Sequence, residues 1–111
     1  MGKGPVIEID GTKITDMESF HDEFARTFGF PDFYGRNMDA WIDCFNYVDS
    51  DDGMRSLTIE PGEILTIHVR SFEAMNSASP QAVRALLECA AFVNHNSLES
   101  SGAPLLAIAL D

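Results

Sequence analysis

Between the firm strand-forming segments of this chain there is always helix, and that alternation leaves few folds open. Val6-Ile7-Glu8-Ile9-Asp10 reads as a first strand, closed by Gly11-Thr12. Ile64 to Val69 reads as a second, and Leu105 to Leu110 as a third. Two helical stretches separate the first from the second, and one separates the second from the third. A tight hairpin cannot join such strands; a crossover can, and it sets them parallel and right-handed. The expected class is α/β, a small three-stranded parallel sheet packed by helices. Ser56-Leu57-Thr58-Ile59 can add one extra short edge strand, stopped by Pro61-Gly62. The last strand is apolar at every position, as expected for a parallel strand covered on both faces.

The helices announce their own ends. Thr15-Asp16-Met17-Glu18 offers Thr15 as N-cap with Glu18 three residues on, a capping box. Met17, Phe20, Phe24 and Phe28 then recur on one helical face until Gly29 ends it. Phe30 to Arg36 is a loop of high aromatic density. Asn37 suits the N-cap of a second helix, Met38 to about Asp49, interrupted by the acidic turn Asp49 to Gly53. Ser71 to Asn76 forms a brief helical turn. Ser79-Pro80 places a cap before Pro at the first helical position. That helix runs to about Val93 and buries Val83, Leu86, Leu87, Ala90 and Val93, leaving Asn94 to Gly102 as a polar connection. No linker or repeat divides the 111 residues, so residues 1–111 are expected to form a single domain.

Charge narrows the partners. Eighteen acidic against seven basic residues give −11 at pH 7. Nucleic acid and anionic membrane surfaces would be repelled; a basic protein would be attracted over roughly 8 Å at physiological salt. No apolar run is long enough to cross a bilayer, and no signal-peptide core opens the sequence. A cytoplasmic location is expected. Cys44 and Cys89 lie in helices beside apolar residues and read as reduced thiols.

The second helix shows where the acids matter. At 100° per residue, Met38, Trp41, Phe45 and Val48 gather on one side, with Cys44 at the margin. Asp39, Asp43 and Asn46 fall opposite them within roughly 60° of arc, flanked by Ile42 and Tyr47. Asp39 complements the helix dipole in the first turn for about 0.3–1 kcal/mol. Asp43 lies beyond that range and repels Asp39 one turn away, at a cost of a few tenths of a kcal/mol. A partner presenting guanidinium groups supplies the missing reason for it.

Phe33-Tyr34-Gly35-Arg36-Asn37-Met38-Asp39-Ala40-Trp41-Ile42-Asp43-Cys44 resembles the signature of the barstar family, inhibitors of secreted ribonucleases. The resemblance implies that the second helix and its preceding loop plug a ribonuclease active site, with carboxylates where RNA phosphates would lie. Asp39 and Asp43 match the family's two principal contact acids, and Phe33 an aromatic that packs over the catalytic histidine. Asn46 falls at another contact position. Glu88 matches a further contact acid; its local alternative is a weak surface pair with Arg84. Phe33 lacks the hydroxyl of the Tyr in the best-known member, Arg36 brings a positive charge into the loop, and Ser50 to Glu63 is longer.

The expected partner is a basic secreted-type ribonuclease or a related toxin, bound by Phe33, Asp39, Ile42, Asp43, Asn46, Tyr47 and Glu88 of a monomer. The alternative is an acidic binding or immunity module for a basic partner that is not a ribonuclease. No enzymatic activity, cofactor or metal is expected. His21, His68 and His95 are dispersed, and neither HExxH, a P-loop nor GxGxxG occurs.

Overall fold

The computed structural model of the protein describes residues 4–49, 53 and 55–111. Among them, β1 (Val6–Asp10), β2 (Leu65–Arg70) and β3 (Leu106–Leu110) form one sheet in the order β1-β2-β3, every pair parallel. The connections hold α1 (Met17–Phe28), α2 (Met38–Asn46), α3 (Phe72–Ala78) and α4 (Pro80–Ser101), with a 3-10 turn at Gly11–Lys13. The three-stranded parallel α/β architecture is therefore present.

Register places Ile7, Ile67 and Ile108 in one row, and Ile9, Val69 and Leu110 in the next. Side chains alternate along a strand, so these rows share the face that meets the helices, with Leu110 at the end of β3 left exposed. The other face is open: Val6, Glu8, Ala107 and Ala109 are exposed. The expectation that β3 is covered on both faces is thus corrected. Its apolar residues on the open side are small alanines, which cost little to leave in water.

Gly11 follows β1 where the chain crosses the end of β2. A Cβ there would lie 2.5 Å from the Arg70 carbonyl oxygen and 2.6 Å from that of Ser71, so only glycine fits. The core is aromatic. Phe20, Phe24 and Phe28 of α1 meet Trp41 and Phe45 of α2, with Trp41 and Phe45 ring centroids 4.6 Å apart. All five are buried, and α2 packs in turn on α4.

Three expectations are corrected here, each for a tertiary or side-chain reason. The N-cap of α1 is Asp16, not Thr15. Its carboxylate accepts from the Ser19 N–H at 2.8 Å while Ser19 Oγ accepts from the Asp16 N–H, so Ser19 fills the place foreseen for Glu18. Helix α2 stops at Asn46 rather than Asp49. The buried Arg55 donates from Nε to the Cys44 carbonyl at 2.6 Å, satisfying a last-turn acceptor from outside the helix. Ser56 to Ile59 forms no strand. Its N–H groups at Ser56 and Ile59 go to Phe28 and Val48 carbonyls instead of a ladder. The acidic turn foreseen at Asp49 to Gly53 falls mostly outside the described residues.

Helix α4 departs most. It continues through Asn94 to Ser101, where a polar connection was expected. Ser97 Oγ donates to the Ala103 carbonyl at 2.6 Å, and Asn94 does more. Its Oδ1 accepts from the N–H groups of Leu105 and Leu106, and its Nδ2 donates to the Leu106 carbonyl, all at 2.9 Å. Residues 105 and 111 bond to β2, so Leu106 points to the outer edge of β3. One asparagine side chain there meets the strand as a fourth strand would. Leu87, expected in the core, is exposed, while Val83, Leu86, Ala90 and Val93 are buried as expected.

Candidate partner-binding face

The loop from Phe30 to Asn37 divides its aromatics between two tasks. Phe30 and Tyr34 turn inward and are buried, whereas Phe33 is 76% exposed. A turn closed by the Tyr34 N–H donating to the Pro31 carbonyl at 2.9 Å produces this split. The Tyr34 hydroxyl lies 2.6 Å from His21 Nδ1 on α1. Burial first, and then the neighbouring Cys44 thiol, drive the Tyr34 hydroxyl well above its ordinary pKa, so it stays protonated and donates. Asn37 then starts α2 as foreseen, its Oδ1 accepting from the Ala40 N–H at 2.8 Å.

On α2 the predicted division of faces holds. Trp41, Cys44 and Phe45 are buried, while Asp39 and Asp43 are exposed. Neither carboxylate has a hydrogen-bond or ion-pair partner among the described residues. Two like charges one turn apart repel, with no cation among the described residues to balance them. Arg36, next to them in sequence, turns away: its Nη2 lies 2.7 Å from Asp22 Oδ1 and 3.2 Å from the Glu18 carbonyl on α1. A hollow of about 160 Å³ lined by Phe33, Tyr34, Gly35, Ala40, Asp43 and Cys44 opens beside Asp43.

The flanking residues differ in access. Tyr47 is exposed, but Ile42 is half-buried and packs against the core. Asn46 is half-buried too, its Oδ1 accepting from Asn96 Nδ2 of α4 at 3.3 Å. Glu88 is exposed on α4 with no ion pair to Arg84 among the described residues. Burial first, then the charges of Glu88 and Asp39, raise the pKa of the Cys89 thiol. No group of three or more His, Cys, Asp or Glu side chains able to hold a metal ion occurs among the described residues. A separate cleft of about 450 Å³, between Glu8, Asp10, Glu23, Arg26, Arg70 and Ser71, contains no residue of α2 or its loop. Its buried Glu23 is satisfied by the Asp10 N–H and by Arg26.

The family described as Barstar (barnase inhibitor) matches residues 4–106. The chain belongs to the barstar family. It is also similar to a Bacillus subtilis (strain 168) protein named "Putative ribonuclease inhibitor YrdF", 47% identical over 44 residues, 39% of this chain. That match covers 48% of the relative, so the chain spans about half the length of the curated protein it resembles.

Of the motif residues, Phe33 and Asp43 line one hollow, and Asp39 lies one turn before Asp43 on the same exposed face of α2. Sequence reasoning missed Asn96, which donates to Asn46, because α4 was expected to end at Val93. Its signal was spacing: Asn96 follows Glu88 at i+8 on the same helix face. Among the described residues no helix is long and apolar enough to cross a membrane.

Proposed function

We propose that this protein inhibits a basic ribonuclease by covering its active site with α2 and the loop before it. The observation that carries the reading is the pair of exposed carboxylates of Asp39 and Asp43, without partners among the described residues, beside the projecting ring of Phe33. A ribonuclease site holds cations that bind phosphate, and carboxylates at those positions satisfy them through charge-assisted hydrogen bonds. Phe33 and Tyr47 add apolar contact, which lengthens residence where charge mainly speeds encounter. Asn46, Ile42 and Glu88 belong to the rim, and the role is that of a cytoplasmic, monomeric inhibitor without catalysis of its own. The membership in an inhibitor family supports this reading.

The decisive experiment titrates the protein against barnase-like ribonucleases beside Asp43→Ala. Saturation at one-to-one, lost in the variant, supports the proposal. Unimpaired ribonuclease activity at excess protein refutes it.

A second reading keeps the same face and changes the partner to a basic toxin or other basic protein, with this chain as its immunity module. The bare ring of Phe33, without the hydroxyl of the related Tyr, favours it. Pull-down from the native host separates the two by what Asp39 and Asp43 retain.

A further inference from the structure

A cation next in sequence to the acids of the proposed face has the wrong sign for a basic partner. Arg36 is nevertheless there, three residues from both Phe33 and Asp39, in a chain of net charge −11. It also adopts a left-handed backbone, φ 56°, which a residue with a Cβ enters only at a cost. Both features need a compensating interaction, and the side chain shows it. The guanidinium reaches back to α1, where Nη2 meets Asp22 Oδ1 at 2.7 Å and the Glu18 carbonyl at 3.2 Å.

The attachment is double. His21 and Asp22 are consecutive on α1; the first holds Tyr34 and the second holds Arg36. The two anchored loop residues leave Phe33 projecting just before them, and Arg36 immediately precedes the cap Asn37. The backbone angle at Arg36 therefore sets the direction in which α2 departs, and with it the bearing of Asp39 and Asp43 relative to the Phe33 ring.

We propose that Arg36 is a positioning residue, a clasp to Asp22 and the Glu18 carbonyl that holds the aromatic loop and the start of α2 in binding geometry. This deepens the inhibitor reading and rests on it for its affinity arm. An exposed ion pair contributes little to stability; its effect appears in how the loop is presented, where small displacements separate paired from unpaired charges.

Charge and positioning predict opposite signs. If Arg36 acted only through its charge, Arg36→Ala would tighten binding to a basic ribonuclease. As a clasp, its loss weakens inhibition about fivefold, the range of a partly exposed pair. In an Asp22→Asn background, where the clasp is already broken, Arg36→Ala should leave inhibition unchanged or tighten it. A merely structural role would move the melting temperature in both backgrounds without this inversion. Equal or tighter inhibition by Arg36→Ala in the parent, or the same loss in both backgrounds, overturns the proposal. If the parent inhibits no ribonuclease, the inhibitor reading fails on its own, and amide exchange of the free protein decides the clasp. Tyr34 N–H exchange should quicken about fivefold in Arg36→Ala; unchanged exchange would remove the clasp.

Discussion

His21 Nδ1 stands 2.6 Å from the Tyr34 hydroxyl, and both residues are buried. Burial, and then the nearby Arg36 charge, lower the His21 pKa below 6.5, with Asp22 opposing. The folded protein therefore holds a neutral imidazole that accepts the Tyr34 proton. Below pH 6.5 the unfolded chain binds a proton that the folded chain resists. Stability from this group is thus complete above 6.5 and is lost as pH falls through the depressed value. The urea midpoint should drop between about pH 7.5 and about pH 5.5, and less so in His21→Asn. Tyr34→Phe should cost about 1–2 kcal/mol at neutral pH, by stranding the imidazole. Identical pH profiles in parent and His21→Asn would detach the histidine from the effect.

Asp43→Ala should leave folding stability within about 0.5 kcal/mol, since the side chain is exposed and has no partner among the described residues. Against a cognate ribonuclease it should cost about 2–5 kcal/mol, because the partner's cations are left buried and unpaired. Stopped-flow kinetics at low and high salt add a second check: rising salt should slow association far more than it speeds dissociation. A salt-independent association rate removes the steering role.

Phe33→Ala separates binding from folding most cleanly. The ring is 76% exposed, so its loss should barely shift the unfolding midpoint. A projecting aromatic that becomes buried in an interface is worth about 2 kcal/mol or more when truncated. Isothermal titration of parent and variant measures this directly, and equal affinity would exclude Phe33 from the interface.

Asn94→Leu should be among the more damaging polar substitutions. It removes three hydrogen bonds at 2.9 Å and leaves the Leu106 edge groups bare. A loss of about 2–4 kcal/mol is expected in urea unfolding. A change under about 0.5 kcal/mol would show that water replaces the side chain without penalty.

How far each element could be read in advance depends on where its causes lie. Strand β1, the phenylalanine face of α1, the Asn37 cap and the Ser79-Pro80 start of α4 follow from neighbours in sequence, and all were legible. The end of α2 was not, because Arg55 reaches the Cys44 carbonyl from a segment beyond the helix. The last turns of α4 were illegible for the same reason, since Asn94 and Ser97 are paired with chain that returns after Gly102. In the candidate site, the stripe of Asp39 and Asp43 appeared from angular spacing alone. The half-burial of Ile42 and the direction of Arg36 did not, because both depend on elements distant in sequence.

The all-parallel register also orders events in time. Val6 pairs with Thr66, and Thr66 with Ala107, so every strand waits for a partner far along the chain. No hairpin can form first, and each pairing closes a long loop. The aromatic contacts of α1 with α2 run only from Phe20 to Phe45 and close much shorter ones. In refolding, the fluorescence of Trp41 should change before the β2 amides become protected; the reverse order in pulse-labelled exchange would contradict this. In that order of events the surface carrying Asp39 and Asp43 would take shape before the sheet, so a slow-forming sheet need not delay the appearance of the acidic helix.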